Sequence, residues 1–532
     1  MNEATPRWGM TIDLNRCVGC QTCTIACKHA NDTTPGVQWR GVIDVETGKF
    51  PDVQRLFLVT GCQHCAEPSC VPVCPTGATK QRADGLVTMD YDLCIGCGSC
   101  AVACPYQART IVHDPGFYYG QETVQERAVA HDERIGVAQK CTFCIDRVDD
   151  GLAAGLKPGI DPQATPACAA SCIASAITFG DFNDPESPVS KLAETQEYFQ
   201  MHGELGNDPQ IKYLYETPGQ PGREPEQPDP DDDDEEPPGS ALTGKLQTFW
   251  DMRAAMNFIM GGLGSGAVVF AYLLSLADPV PFGGLRMIFT IAAGIMGVGL
   301  FFVWLKIGRK LRAAYVVLRP DTSWMSREVY AVALFGAGLF GAWVLPHPAW
   351  LAVAALGAAA FLYAQARILQ ASKGIPAWRT RRMIWMLVLS GLAEGAGLNA
   401  VIAGLFPEIL PAGFALPIAA VVLVVIAASL WRGYVDGAKA SGIGAAARRV
   451  LMKATPRLYA FGHLAPIVGY FGLIAWTQAP VWLFILPGVL AIAGGAYWKA
   501  IVITRAGHFQ GFALAKYPGR GSGRLAAPLS LN

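Results

Sequence analysis

Sixteen cysteines, all between Cys17 and Cys172, limit what this chain can fold into more than any other feature. They fall into four groups of four. The first is C-x2-C-x2-C-x3-C: Cys17, Cys20, Cys23 and Cys27. The second is C-x2-C-x4-C-x3-C followed by proline: Cys62, Cys65, Cys70, Cys74 and Pro75. The third repeats the first spacing and adds a proline: Cys94, Cys97, Cys100, Cys104 and Pro105. The fourth is split, with Cys141 and Cys144 separated from Cys168 and Cys172 by 23 residues.

Eight disulfides would need an oxidising compartment. The N-terminal stretch MNEATPRWGMTIDLNRC has neither an apolar core of signal-peptide length nor a twin-arginine pair. The expectation is therefore a reducing compartment and metal binding. Zinc also uses C-x2-C pairs, but it closes with four ligands and has no use for a repeated three-plus-one pattern. That pattern suits cubane iron–sulfur clusters. Three thiolates on one tight loop hold three corners, and the fourth cysteine starts a helix that leads to the other cluster of a pair.

With this exchange, the second and third groups form one two-cluster ferredoxin, and the first and fourth form another around it. Four 4Fe–4S sets follow: Cys17/Cys20/Cys23/Cys172, Cys141/Cys144/Cys168/Cys27, Cys62/Cys65/Cys70/Cys104 and Cys94/Cys97/Cys100/Cys74.

The remaining 360 residues contain no cysteine, whereas eleven of the thirteen tryptophans lie from Trp250 onward. Three regions are read: a cysteine-rich domain at 1–216, an acidic and proline-rich linker at 217–243, and a membrane domain at 244–532. The linker, TPGQPGREPEQPDPDDDDEEPPGSALT, has little to bury and reads as a self-repelling spacer. Beyond it, apolar runs of about 20 residues recur, the length that crosses a bilayer as a helix. Eight are placed at 256–277, 286–305, 328–345, 349–369, 383–405, 410–431, 458–477 and 481–503.

Lysine and arginine collect in alternate loops. Lys306, Arg309, Lys310, Arg312, Arg319 and Arg327 follow the second run, and Arg367, Lys373, Arg379, Arg381 and Arg382 follow the fourth. Arg432, Lys439, Arg448, Arg449, Lys453 and Arg457 follow the sixth, and Lys499, Arg505, Lys516, Arg520 and Arg524 the last. The opposite loops contribute Arg286. Positive charge marks the cytoplasmic side, so both termini and the cysteine domain are expected inside a prokaryotic inner membrane. Trp250, Trp324, Trp343, Trp350, Trp378, Trp431, Trp476 and Trp482 fall near run ends, as an interfacial belt would. The run GGLGSG at 261–266 spaces small residues for close helix packing. The fold class is thus α+β, two nested bacterial-ferredoxin-like units followed by an all-α bundle of eight transmembrane helices.

A b-type haem would need axial ligands, and paired histidines on facing helices are the expected source. The membrane half offers only His347, His463 and His508, the first and last outside the runs. No haem is expected, and the bundle should exchange electrons directly with a quinone, ubiquinone or menaquinone. Charge inside a span costs roughly 2.5–3.5 kcal/mol at mid-helix. Glu328 is a quinone candidate or a salt-bridge partner. Glu394 reads as a proton path or a buried structural pair, and His463 as a quinone hydrogen-bond partner or an interhelical one. Arg309 and Arg312 orient the pocket or obey the charge rule. No nucleophile constellation, phosphate loop, pterin domain or nucleic-acid surface is present.

Residues 8–180 resemble the iron–sulfur subunits of the DMSO reductase superfamily. The resemblance rests on WGMTIDLNRCVGCQTCTIACKHAN, GCQHCAEPSCVPVCPTGATKQRADGLVTMDYDLCIGCGSCAVACPYQAR and QKCTFCIDR. It implies a separate large catalytic subunit with a molybdenum or tungsten bis-pterin cofactor. It also implies that the Cys17 set faces that subunit and the Cys94 set the membrane. Respiratory nitrate reductases carry tryptophan where this chain has Cys97, so four 4Fe–4S clusters are expected here rather than a 3Fe–4S centre. CIASA replaces the usual CPTGA after the last group, which leaves the backbone near Cys172 open.

WLKIGRKLRAAYVVLRPDTSWMSREVY at 304–330 and KAIVITRAGHFQGFAL at 499–514 are similar to DMSO reductase-type anchors. In those, the residue matching Glu328 serves the quinol pocket and a histidine stands where this chain has Lys306. QTFWDMRAAMNFIMGGLGSG looks like anchors of phenylacetyl-CoA:acceptor oxidoreductases. A sulfite or other sulfur-compound oxidoreductase, or a stand-alone quinol dehydrogenase module, are the other readings of the complex.

Overall fold

The computed structural model describes residues 5–49, 52–215, 243–411, 413–476 and 478–512. The linker read at 217–243 lies outside them apart from Thr243, as do Lys516, Arg520 and Arg524.

In the cysteine module the strand Trp8–Asp13 is central to a four-stranded sheet. It pairs antiparallel with Ile177–Asp181 (Ile12 opposite Ile177) and parallel with Ile211–Leu214 (Met10 opposite Ile211). This register explains the nesting. Cys17 follows the first strand closely and Cys172 precedes Ile177, so one sheet end brings the first and last cysteine groups together. The helices Thr22–Ala30 and Ala167–Ala170, each started beside those cysteines, pack on one another. A long hairpin, Arg40–Lys49 with Asp52–Gly61, covers the same end. The core beneath is apolar, with Met10, Ile12, Leu58, Phe143 and Tyr213 excluded from solvent.

Eight helices among the described residues are long and apolar enough to cross a membrane. They are Met252–Ala277, Phe282–Lys306, Trp324–Val344, Pro348–Gln370, Arg381–Leu405, Ala415–Asp436, Ala445–Ala475 and Val481–Thr504. The first and fifth are the bundle's interior, with 67% and 72% of their apolar windows buried against 28% for the second. They cross closely because both are small-faced there. A methyl on Gly266 would meet the Gly391 carbonyl oxygen at 1.8 Å, and one on Gly395 would lie 2.2 Å from the Gly266 carbonyl carbon. The GGLGSG run is thus a packing face.

Three expectations need correction. The seventh span starts at Ala445, not 458. Its first turns, AAARRVLMKATPR, are too polar to register as an apolar run, yet alanine-rich enough to be helical. Lys499, expected with the basic tail, is fully buried inside the eighth span. The tryptophan belt is partial: Trp343, Trp476 and Trp482 are exposed near span ends, but Trp250, Trp378 and Trp431 are buried in the bundle.

The lysine- and arginine-rich ends of the spans are the ends that meet the cysteine module. Gly308, just past the second span, nests against Gly136, where a methyl would stand 2.0 Å from the Gly136 carbonyl oxygen. The Arg309 amide donates to the Ile95 carbonyl at 3.1 Å, and the Gly374 amide donates to the Val102 carbonyl at 3.1 Å. Overpacking a contact this close costs about 1–3 kcal/mol. Gly308→Val is therefore expected to speed amide hydrogen exchange in the Cys94–Gly98 loop and leave the helix at Thr22–Ala30 unchanged. Unaltered exchange in that loop would show that the junction does not depend on this contact.

Candidate redox centres and membrane sites

Each cysteine group begins with a turn of one shape. The residue before the second cysteine has a positive φ in all four: Gly19 (70°), His64 (41°), Gly96 (70°) and Phe143 (57°). Gly19 also has no room for a side chain, since a methyl would sit 2.4 Å from the Phe57 ring. Non-glycine residues persist in this region only where their surroundings compensate. His64 and Phe143 do so by stacking on each other, ring centroids 3.8 Å apart, with the His64 side chain fully enclosed. His64 Nδ1 accepts the Val87 amide at 3.1 Å, so its Nε2–H donates to the Cys141 carbonyl at 3.1 Å. Burial holds its pKa well below the usual histidine value, and the ring is neutral.

The turns gather cysteines from distant groups. Cys17, Cys20, Cys23 and Cys172 line one enclosed space. Cys62, Cys65, Cys70 and Cys104 line a second. Cys27 lies within electrostatic reach of Cys141, Cys168 and Cys144, and Cys100 of Cys94, Cys97 and Cys74. Burial pushes most of these thiols up, Cys94 to about 11 and Cys104 to about 12. Thiolate ligands in such surroundings need positive charge nearby, and metal would supply most of it. Among the described residues no three His, Cys, Asp or Glu side chains converge on a point that could hold one ion. The sulfurs surround space instead.

The protein adds its own cations, which the spacing of the cysteines does not reveal. Arg40 is fully buried and forms no carboxylate ion pair among the described residues. It lies in the field of Cys168, Cys141 and Cys27, and it also acts on Cys23. Arg109, 4% exposed, lies near Cys70, Cys62 and Cys104 on one side and Cys100 on the other. Its Nη2 donates to Cys70 Sγ at 3.1 Å. Lys140 is fully buried and donates to the carbonyls of Val87 and Cys141. An arginine therefore stands between the two cysteine sets of each ferredoxin pair, and a lysine near the gap between the pairs.

The six membrane candidates separate into two places. Lys306 Nζ donates to the Cys97 carbonyl at 2.7 Å, and Trp250 Nε1 donates to the same oxygen at 3.1 Å. Arg309 donates to the Asp132 carbonyl and Arg312 to the Tyr91 carbonyl, both at 2.7 Å. These three basic residues fasten the cysteine module to the bundle. Glu328, one turn inside the third span, forms no ion pair among the described residues; Asn257 Nδ2 donates to it at 3.4 Å. Ser99, Trp250, Ser323, Trp324, Met325 and Ser372 line a small cavity at the Cys97 face, and Glu328 is not among its lining residues. Deeper, Glu394 Oε2 pairs with Lys499 Nζ at 2.8 Å, with side chains 2% and 0% exposed. His463 lines the same small space as Glu394, and among the described residues its ring nitrogens find no side-chain hydrogen-bond partner.

Residues 53–118 match the family described as 4Fe-4S dicluster domain, which spans the second and third cysteine groups. A subunit of the selenate reductase of Mesobacillus selenatarsenatis is 39% identical over 224 residues, 39% of this chain and 72% of that protein. The iron–sulfur cluster-binding subunit of menaquinone reductase from Nitratidesulfovibrio vulgaris is 37% identical over 39% of this chain and 88% of its own length. A subunit of the sulfite dehydrogenase of Allochromatium vinosum is 36% identical over 38% and 81%.

Reduction adds negative charge to a cluster, so a neighbouring cation stabilises the reduced form and raises its potential. Arg109→Met is expected to lower the midpoint potentials of the flanking centres by on the order of 100 mV, for a unit charge at an effective dielectric of about 20. Arg109→Lys should restore most of that. Redox titration followed by electron paramagnetic resonance measures both, and unshifted potentials would assign Arg109 a packing role.

Proposed function

Given that this chain belongs to the iron–sulfur subunits of the DMSO reductase family, we propose that it carries electrons between a separate molybdenum or tungsten bis-pterin subunit and the membrane quinone pool. It is a 4Fe–4S electron-transport subunit with a membrane-spanning half. The observation that carries the proposal is the junction at Cys97. One of the sixteen cysteines hands its carbonyl to Trp250, just before the first span, and to Lys306, the last residue of the second, so a cluster in that set lies against the bundle.

Four 4Fe–4S clusters fit the residues present: four cysteines per set, enclosed spaces between the sulfurs of the Cys17 and Cys62 sets, and buried cations beside the sulfurs. Zinc would need sulfurs drawn about 2.3 Å from one centre. The clusters supply one-electron carriers. The chain's residues insulate them, hold them in order and set their charge surroundings. The Cys17 set is the proposed contact with the catalytic subunit. Cys20 is exposed there, and Val18, Ile25 and Ile173 present apolar side chains to solvent, 55%, 63% and 71% exposed. Charged residues are depleted from the centres of protein interfaces, and such a patch suits one.

At the other end, quinone exchange is proposed beside Glu328, close to the Cys94 set. Menaquinone reductase among the relatives supports a quinone partner. The reading involves no haem. His347 caps the fourth span from its N-terminal loop, His508 follows the eighth, and His463 has no second histidine to share an iron with. The charge asymmetry supports a cytoplasmic cysteine module. Phenylacetyl-CoA oxidation is the proposed reaction of the complex, on the likeness of residues 247–266. The likeness to sulfite dehydrogenase supports a sulfur-compound oxidoreductase as the second reading.

Purification from the native membrane should yield a large subunit with molybdenum or tungsten, and about sixteen irons per chain, four per cubane. A complex without such a subunit would support the stand-alone quinol dehydrogenase module instead. Ile173→Glu should release the large subunit while iron content is kept. Glu328→Gln should slow quinol-driven cluster reduction about tenfold or more with cluster spectra intact, and normal turnover would remove Glu328 from the site.

A further inference from the structure

A cleft of about 1430 Å³ lies between the cysteine module and the basic ends of the spans. On the module side Pro68, Val71 and Val73, which flank Cys70, wall it together with Leu205. The ends of the fourth, fifth and sixth spans and the loop between the fourth and fifth form the other side. Arg367, Lys373, Arg379, Arg381 and Arg382 line it there. Glu67 and Glu204 are the acids of the lining, so cations outnumber acids by five to two.

These cations are not equally committed. Lys373 donates to the Leu205 carbonyl at 3.2 Å, and Arg379 donates to the Lys373 carbonyl at 3.1 Å. Arg367 lies over the Trp324 ring, 4.6 Å from its centroid, and donates to Tyr363 Oη at 2.9 Å. Arg381 and Arg382 form no ion pair among the described residues. Arg382 is nevertheless given a place. A methyl on Gly437 would stand 2.9 Å from its Nη1 and one on Gly433 3.2 Å, so the sixth span leaves a slot for the guanidinium. The fifth span begins at Arg381 with no side-chain cap from Thr380, and its positive end adds to the same field. Two guanidiniums in one cleft present forked donors, which suit the oxygens of a phosphate.

What carries the phosphate follows from where the cleft leads. Trp385 stands four residues beyond Arg381 on one face of the fifth span, and Tyr363 four before Arg367 on the fourth. Both aromatic side chains are exposed. The basic edge therefore passes within one turn into surface that lipid covers. A free anion would use the cations alone, and a neutral ring would leave both guanidiniums without a counter-charge. A diacyl lipid with a charged headgroup uses the cations and the apolar faces together.

We infer that the cleft binds the headgroup of an anionic phospholipid from the leaflet on the cysteine-module side. Its phosphodiester meets Arg381 and Arg382, and its acyl chains lie along the fourth and fifth spans beside Tyr363 and Trp385. Basic pockets between spans at a membrane surface suit such headgroups. Bound there, the lipid bridges the loop around Cys70 and the bundle. The inference needs the spans to cross a membrane and is independent of the quinone reading.

The test is native mass spectrometry of the purified full-length protein, delipidated in detergent and offered dioleoyl phosphatidylglycerol or dioleoyl phosphatidylcholine. The anionic lipid is expected to be retained at least about tenfold more tightly, a difference of about 1.4 kcal/mol. Arg381→Gln with Arg382→Gln should abolish that preference. Arg449→Gln with Lys453→Gln, which takes equal charge from the seventh span, should leave it intact. Equal retention of the two lipids, or a preference that survives loss of both cleft arginines, would overturn the site. Sodium phosphate at the ionic strength of a chloride control should not displace the lipid; displacement would assign the cleft to a free anion and overturn the lipid. Arg381 and Arg382 are exposed, so iron content and thermal stability should match the unaltered protein. If the double variant does not fold, phosphatidylglycerol with a photoreactive acyl chain decides on the unaltered protein. Saturable labels near Tyr363 and Trp385 would support the site, and labels confined to other spans would overturn it.

Discussion

The Cys97 carbonyl accepts from Lys306 Nζ and Trp250 Nε1, and the joining of the two halves of this protein turns on that oxygen. An electron carrier enclosed in protein is useful only if the next carrier is held at a fixed short distance. Here the fastening group belongs to the cysteine loop itself, so any movement of the module against the bundle strains the centre that must hand over electrons. The glycine contact between Gly308 and Gly136 makes the junction close, and the basic residues around it bring charge to it. Lys306 serves twice in this arrangement. It ends the second span and also places a buried cation beside the last cysteine set, as Arg40, Lys140 and Arg109 do for the sets before it. Positive charge thus follows the whole path of the cysteines through the module.

Inside the bundle the same accounting runs without water. Breaking a buried ion pair by removing one partner costs about 3–5 kcal/mol, so Glu394 and Lys499 lock the fifth span to the eighth. Glycines at 262 and 495 make that pair possible by withholding side chains, and those at 266, 391 and 395 draw the first and fifth spans together. The interior is therefore stiff where the backbones touch. A small space lined by Glu394, His463, Trp431 and Trp498 lies next to the π-helical turn, where the regular ladder of hydrogen bonds is already interrupted.

How much of this is legible in the sequence depends on how local each signal is. Cysteine spacing is a local signal, and the fold gathers sulfurs from the same distant groups that the ferredoxin exchange pairs. Span number and the basic face are likewise carried by short windows. The turns of the cysteine loops are half legible. Gly19 and Gly96 announce a left-handed residue, but His64 and Phe143 take the same conformation because they stack on each other across 79 positions of sequence, which no window contains. Arg40 and Arg109 sit in ordinary strand and loop contexts, and only the tertiary fold shows them between cysteine sets. Lys499 lies close to a basic tail, so charge alone groups it with the loop, although a mid-span Glu394 calls for a partner. His463 and Glu394 are each recognisable as costly; that they share one cavity depends on the packing of four helices.

The menaquinone reductase iron–sulfur cluster-binding subunit is matched over 88% of its length by 39% of this chain. Most of that relative thus corresponds to a part of this protein, and the membrane bundle here is joined to that part covalently. Joining has a physical consequence for the interface. Two separate proteins must recover about 4–15 kcal/mol of lost rigid-body freedom on association, which favours a broad apolar contact. A covalent join lowers that cost by making the contact intramolecular. The junction here combines polar contacts at Cys97, Ile95, Tyr91 and Val102 with an apolar cluster that joins Val102 to Trp250, Ile375 and Trp378. At the opposite end of the module, around Cys20, Val18, Ile25 and Ile173 leave apolar side chains exposed, the surface proposed for the catalytic subunit.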